Sequence, residues 1–123
     1  MIGYHYSPRE NQASILKHGL LVPLRHPKLV TPVTCSEGHR NPHISLARTP
    51  VDAWSLSGGF LRGRIIGGDR PLYWTCPEHW DLYQVELPRH SYRAYGLELQ
   101  SSRDIPKSRV IYVGSVKLES GVG

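Results

Sequence analysis

Two periods of apolar residues alternate along the chain, and the points where one gives way to the other mark its elements. Tyr4 and Tyr6 fall on one face of a two-residue period and Gly3 and His5 on the other, which predicts a short strand over residues 2–6. Ala13, Leu16 and Leu20 then follow a helical stripe that Ile15 widens, and Gly19 stands where a helix would end in the left-handed conformation. Between the two lies Ser7-Pro8-Arg9-Glu10. It reads as an N-cap serine, a proline at the first helical position and a glutamate closing a capping box, so the helix is expected over residues 8–18. His5 then sits one step before a helix start, beside free backbone donors, a place that suits an anionic or amide-bearing ligand.

Residues 20–42 contain Pro23, Pro27, Pro32 and Pro42, which excludes a long helix, leaves at most a strand around residues 29–33, and makes this segment a candidate lid. Residues 43–47 alternate again, with Ile44 and Leu46 toward the core and His43, Ser45 and Ala47 on the other face. Thr49-Pro50-Val51-Asp52 repeats the cap, proline and acid device. It predicts a short helix through Ala53, Trp54 and Leu56, ended by Gly58-Gly59. From residue 60 the pattern is β. Strands at 64–66 and 72–75 would be joined through Gly67-Gly68-Asp69-Arg70, and residues 81–87 alternate up to Pro88. Residues 95–100 place Tyr95, Leu97 and Leu99 on one face and Gly96, Glu98 and Gln100 on the other. Residues 108–118 supply a last strand or bent pair of strands with Gly114 marking a bulge or kink, and residues 119–123 form a frayed tail. Two early helices and a β-rich second half predict an α+β domain, and the alternation assigns His5, Ser45 and Glu98 each to a non-core strand face.

A length of 123 residues fits one domain, and 39% hydrophobic residues with 12 Gly and 10 Pro suit many short elements. Two cysteines are too few for a disulfide framework, and no apolar run resembles a signal peptide or a membrane span; a cytoplasmic protein with reduced thiols is expected. The formal charge of +5 and pI near 9.5 favour phosphate-bearing partners. Because the basic residues are scattered, charge does not separate a nucleic-acid binder from an enzyme that uses a nucleotide.

Three segments, in order, change that balance. Tyr4-His5-Tyr6-Ser7-Pro8, with Ile15-Leu16-Lys17-His18-Gly19-Leu20 after it, resembles the opening of the ADP-ribosyltransferase superfamily, in the branch whose first strand carries a histidine. Residues 44–53 are similar to its second motif, a short strand running into a capped helix. Glu98-Leu99-Gln100, followed by Ile105-Pro106 and Arg109-Val110, is similar to its third, a strand glutamate ahead of an I-P-x-x-R segment. The resemblance covers residues 4 to about 113. It implies one compact α+β domain over residues 1–123, built of two small, mainly antiparallel sheets forming a cleft, with two short helices in the N-terminal half. It further implies NAD as substrate, Glu98 as the catalytic carboxylate at an oxocarbenium-like centre, and transfer of ADP-ribose to a macromolecule. His5 would bond a ribose hydroxyl and the Tyr6 backbone the carboxamide. Ser7 would adjoin them, Ser45 would support the glutamate or ribose, and Arg48 would approach the pyrophosphate. Where the second motif often has tyrosine this chain has Ser45, so the aromatic that stacks on nicotinamide is left among Trp54, Tyr73 and Trp74. Glu86 is the alternative to Glu98, but no I-P segment follows it. A monomer acting away from membranes is expected; the acceptor stays open among DNA, RNA, protein, small molecules and water, as does a role as a toxin.

Other readings compete. Cys35 with His39, and Cys76 with His79, have spacings a zinc site could use, with His26 or His43 as substitutes, but the spacing is irregular and no metal is expected. A non-enzymatic nucleic-acid-binding module fits the pI and the interleaved Tyr, Trp and Arg residues, and an NAD glycohydrolase fits the same motifs with water as acceptor.

Overall fold

Strand β1 (Ile2–Pro8) lies inside the sheet, paired on both of its sides. The computed structural model describes residues 1–22, 43–57 and 78–117. The other strands are β2 (Ile44–Ala47), β3 (His79–Glu86), β4 (Arg93–Tyr95), β5 (Glu98–Ser101) and β6 (Val110–Lys117), with helices α1 (Gln12–His18) and α2 (Pro50–Ser55) between the early strands. All pairings are antiparallel, in the order β4-β5-β2-β1-β3-β6. The α+β class and the two short N-terminal helices are as expected. The two separate sheets are not: the described strands form one. The junction is narrow, however. β1 is in register with β3 from Ile2↔Glu86 to Pro8↔Trp80, but with β2 only at Tyr4↔Ala47, so β4-β5-β2 and β1-β3-β6 meet at a one-residue seam.

The first helix does not begin where its cap signal stands. β1 continues to Pro8, whose φ of −53° and ψ of 144° are extended, and residues Arg9–Asn11 make a single 3-10 turn before α1. Ser7 caps nothing. It is buried, and its hydroxyl accepts a 3.2 Å bond from the Asn11 amide. Sheet pairing overrides the local signal because Pro8 pairs with Trp80, and the Arg9 guanidinium grips the fully buried Asp81 of β3 through Nε and Nη2 contacts of 2.8–2.9 Å. The second, nearly identical signal does form a cap. β2 stops at Ala47, which frees Thr49 to accept the Asp52 N–H at 3.1 Å with Pro50 in the first turn.

One sheet face carries the main core, where Ile44, Leu46, Tyr83, Val85 and Leu99 meet Ile15 of α1 together with Leu20, Val22 and Ile105. On the opposite face Trp54 of α2 stands edge-on to Tyr6 at 5.0 Å and to Trp80 at 6.3 Å. The segment expected as one strand over 95–100 is instead a hairpin: Tyr95 pairs with Glu98 and Arg93 with Gln100 across a two-residue turn at Gly96-Leu97. Gly96 has φ +58°, which lets the chain reverse there. The irregularity near Gly114 is present, since Leu82 pairs with Gly114 but Tyr83 with Tyr112, leaving Val113 as the extra residue. The expectations for a strand at 29–33, the lid, the Gly58-Gly59 stop, the hairpin at 64–75 and the tail lie outside the described residues.

Gly19 ends α1 with φ +85° and its N–H on the Ile15 carbonyl. A methyl there would stand 2.0 Å from the Ile105 carbonyl oxygen, whereas one at Gly96 would meet nothing within 4 Å. Gly19→Ala should therefore cost upwards of ~3 kcal/mol or prevent folding, and Gly96→Ala only the ~1–2 kcal/mol of a left-handed alanine, both read by urea denaturation.

Candidate active site

Ser45 is the joint of the site, because it bonds in two directions. Its hydroxyl donates to Glu98 Oε2 at 2.5 Å, and its backbone carbonyl accepts from His5 Nδ1 at 2.6 Å. The first bond follows from register: Ala47 lies opposite Glu98 and Ser45 opposite Gln100, so Ser45, Glu98 and Gln100 project from one face. The Gln100 amide donates to Glu98 Oε1 at 2.5 Å, and His43 Nε2 stands 3.5 Å from Oε2. Glu98 is thus held through both oxygens while 23% of its side chain stays open to solvent. Such a carboxylate is oriented yet reachable.

His5 departs from its expected placement. It pairs with Tyr83 across β1–β3, and its neighbour Tyr4 shares a face with Ala47, so His5 projects on the core side while Ser45 and Glu98 project on the other. The alternation within β1 is as expected; what the pattern did not contain is the phase of β1 relative to β2. His5 reaches Ser45 through the seam, where the carbonyl lies in the plane of the sheet. A carbonyl can only accept, so Nδ1 carries the proton and Nε2 is left as an acceptor. Burial pushes the His5 pKa below 6.5, partly offset by the bond to Ser45, and the ring is neutral at neutral pH.

The other expected residues divide. Tyr6 adjoins the site but its ring packs on Trp54, which is itself held between Tyr6 and Trp80. Ser7 is buried against Asn11, and Arg48 is exposed at the end of β2. Glu86, the alternative carboxylate, is exposed at the end of β3, away from Ser45. Tyr73, Trp74, His26, Cys35, His39 and Cys76 lie outside the described residues. Among the described residues no three His, Cys, Asp or Glu side chains cluster to hold a metal, and no helix is long and apolar enough to cross a membrane.

Three contributors were not singled out in advance. Gln100 carried a legible signal, since it lies two residues from Glu98 on one strand. His43 shared the alternate face with Ser45 but was weighed only as a metal ligand. Tyr95 was hidden by the unforeseen turn. As part of a continuous strand it would face away from Glu98, but as its cross-strand partner it stands directly beside it, 55% exposed. Beyond His43 and Gln100 opens a groove of about 920 Å³ formed by residues 87–93, Tyr95, residues 101–106 and Arg109.

No family model matches the chain, and neither a curated protein nor a solved structure matches it.

The depressed His5 pKa has a signed consequence for stability. Unfolded His5 takes up its proton near 6.5 and folded His5 only at lower pH, so the unfolded state binds more protons within that window. Stability from this source is complete above about pH 6.5 and falls as the solution is acidified. His5→Asn keeps a donor near the Nδ1 position and removes the titration, so the loss in Tm between about pH 7 and pH 5 should be smaller in the variant than in the wild type.

Proposed function

We propose that the protein is an NAD-dependent mono-ADP-ribosyltransferase with Glu98 as its catalytic carboxylate. The observation that carries the reading is the grip on Glu98. Ser45 and Gln100 hold both oxygens, on the strand whose sequence is similar to the third motif, beside the exposed Tyr95 ring. Cleaving the bond between nicotinamide and ribose develops positive charge at the anomeric carbon, and a carboxylate fixed in advance stabilises that charge without reorganising. In the transfer, a lone pair of an acceptor N–H or O–H forms the new bond to the anomeric carbon. The electron pair of the broken C–N bond passes to the pyridinium ring, which leaves as neutral nicotinamide. The acceptor's proton goes to Glu98 and then to water.

The expected roles of the other residues shift. His5 is best read as a positioning residue that holds the Ser45 strand through its carbonyl from the opposite side of the sheet. Tyr95 stands exposed beside Glu98, open to an acceptor rather than assigned to the cofactor, while Trp54 packs α2 to the sheet. Ser7 is a structural residue, and Arg48 is free to meet a pyrophosphate from the exposed end of β2.

Chromatographic measurement of nicotinamide released from NAD tests the reading. Glu98→Gln should lower release ~10²–10³-fold and Ser45→Ala ~10-fold, each with a Tm close to wild type. Wild-type release from Glu98→Gln would remove Glu98 from catalysis, and no NAD binding or turnover by the wild type would remove the reading itself.

A further inference from the structure

The groove that adjoins Glu98 is predominantly basic. Arg89, Arg93, Arg103 and Arg109 line it along with His43 and His90, and its only acidic lining residue is Asp104. The Asp104 carboxylate already accepts the Val22 N–H at 2.7 Å. All four arginines are exposed, and among the described residues none is in an ion pair. Four like charges held along one trough repel one another, an arrangement that a polyanion relieves.

The groove is also joined to the carboxylate by shared residues. His43 and Gln100, two of the three polar side chains that face the Glu98 carboxylate, form part of its wall. Arg93 and Tyr95 come from β4 at alternate positions, so both project on the face of Glu98, Arg93 opposite Gln100 and Tyr95 opposite Glu98. The sequence of features along this face is therefore a cation, an open aromatic ring and the carboxylate.

We infer that this groove binds a single-stranded nucleic acid, its phosphates on the arginines and an unpaired base on Tyr95, which delivers the base to Glu98. The combination selects this polyanion over others. An acidic peptide would satisfy the arginines but offers no succession of π-faces to Tyr95, and a duplex keeps its base faces stacked out of reach. That the bound strand is also the acceptor rests on the transferase reading. In that step an exocyclic or ring N–H of the base, or a sugar hydroxyl, supplies the lone pair that bonds to the anomeric carbon, neutral nicotinamide departs with the electrons of the broken bond, and the proton passes to Glu98. Binding in the groove needs no NAD.

Fluorescence anisotropy with mixed-sequence 20-residue DNA and RNA single strands, and the matching DNA duplex, tests this across a salt series. The wild type should bind single strands at least ~10-fold tighter than duplex. Arg93→Ala with Arg103→Ala should weaken binding ~10-fold or more and reduce the slope of log K against log salt by ~1.4, the value for two lost phosphate contacts on a single strand. Tyr95→Ala should weaken binding ~5–100-fold with the salt slope unchanged. Absent binding, duplex binding of equal strength, or affinity unchanged in the arginine pair would overturn the inference, with circular dichroism confirming that each variant is folded. The two readings fail separately. Strand binding without nicotinamide release from wild-type protein leaves the groove and removes the transferase; release with no strand binding does the reverse.

Discussion

The sheet is continuous only because β1 and β2 stay together across a seam with a single register pair. Ser45 reinforces that seam at the point where the ladder stops, its carbonyl taking the His5 ring and its hydroxyl taking Glu98. A carbonyl left without a partner beside a half-buried gap would be costly, and a ring N–H is one of the few side-chain donors short and rigid enough to reach it from the next strand. The same residue therefore closes the sheet and orients the candidate catalytic carboxylate. Any change to the seam should be felt at Glu98, because one side chain and its own backbone carry both bonds.

The two helices serve the seam from opposite sides. α1 and the chain after it supply Ile15, Leu20 and Val22, and the segment after β5 supplies Ile105, to the core beneath β2, β3 and β5. Leu20 and Ile105 also exchange backbone hydrogen bonds of 2.9 and 2.8 Å, which ties the end of α1 to the segment after β5. Across the sheet, α2 sets Trp54 between Tyr6 and Trp80, which fills the face beside Ser45 with aromatic rings and leaves the β5–β4 end uncovered by it. Tyr95 and the arginine-lined groove occupy that end. On the face of Glu98, packing closes the side toward α2, and Tyr95 and Arg93 mark the side where the groove begins.

The alternation of apolar residues in β2 and β3 was legible, as was the second helix cap, because each is decided within a few residues by period or by a local hydrogen bond. The first cap was misleading for a reason the same rules supply. Ser7 and Pro8 suit a helix start, but they also suit the end of an extended strand, and pairing with Trp80 together with the Arg9–Asp81 contact decides between two locally acceptable states. The turn at Gly96-Leu97 was missed because Tyr95, Leu97 and Leu99 imitate the period of a continuous strand; only pairing of Tyr95 with Glu98 shows that the chain has reversed.

By itself the sequence determined the α+β class, the alternation within β1, β2 and β3, the second helix and the three residues His5, Ser45 and Glu98 worth bringing together. The tertiary structure decided how they meet. Period-two alternation says which residues of one strand share a face, but not which face of a neighbouring strand they join, because that depends on the register of strands separated by forty or fifty residues. Register set His5 on the far side of the sheet from Glu98 and made Ser45 the link between them. It also moved Tyr95 and Arg93 to the side of Glu98, beside a groove no local pattern could have disclosed.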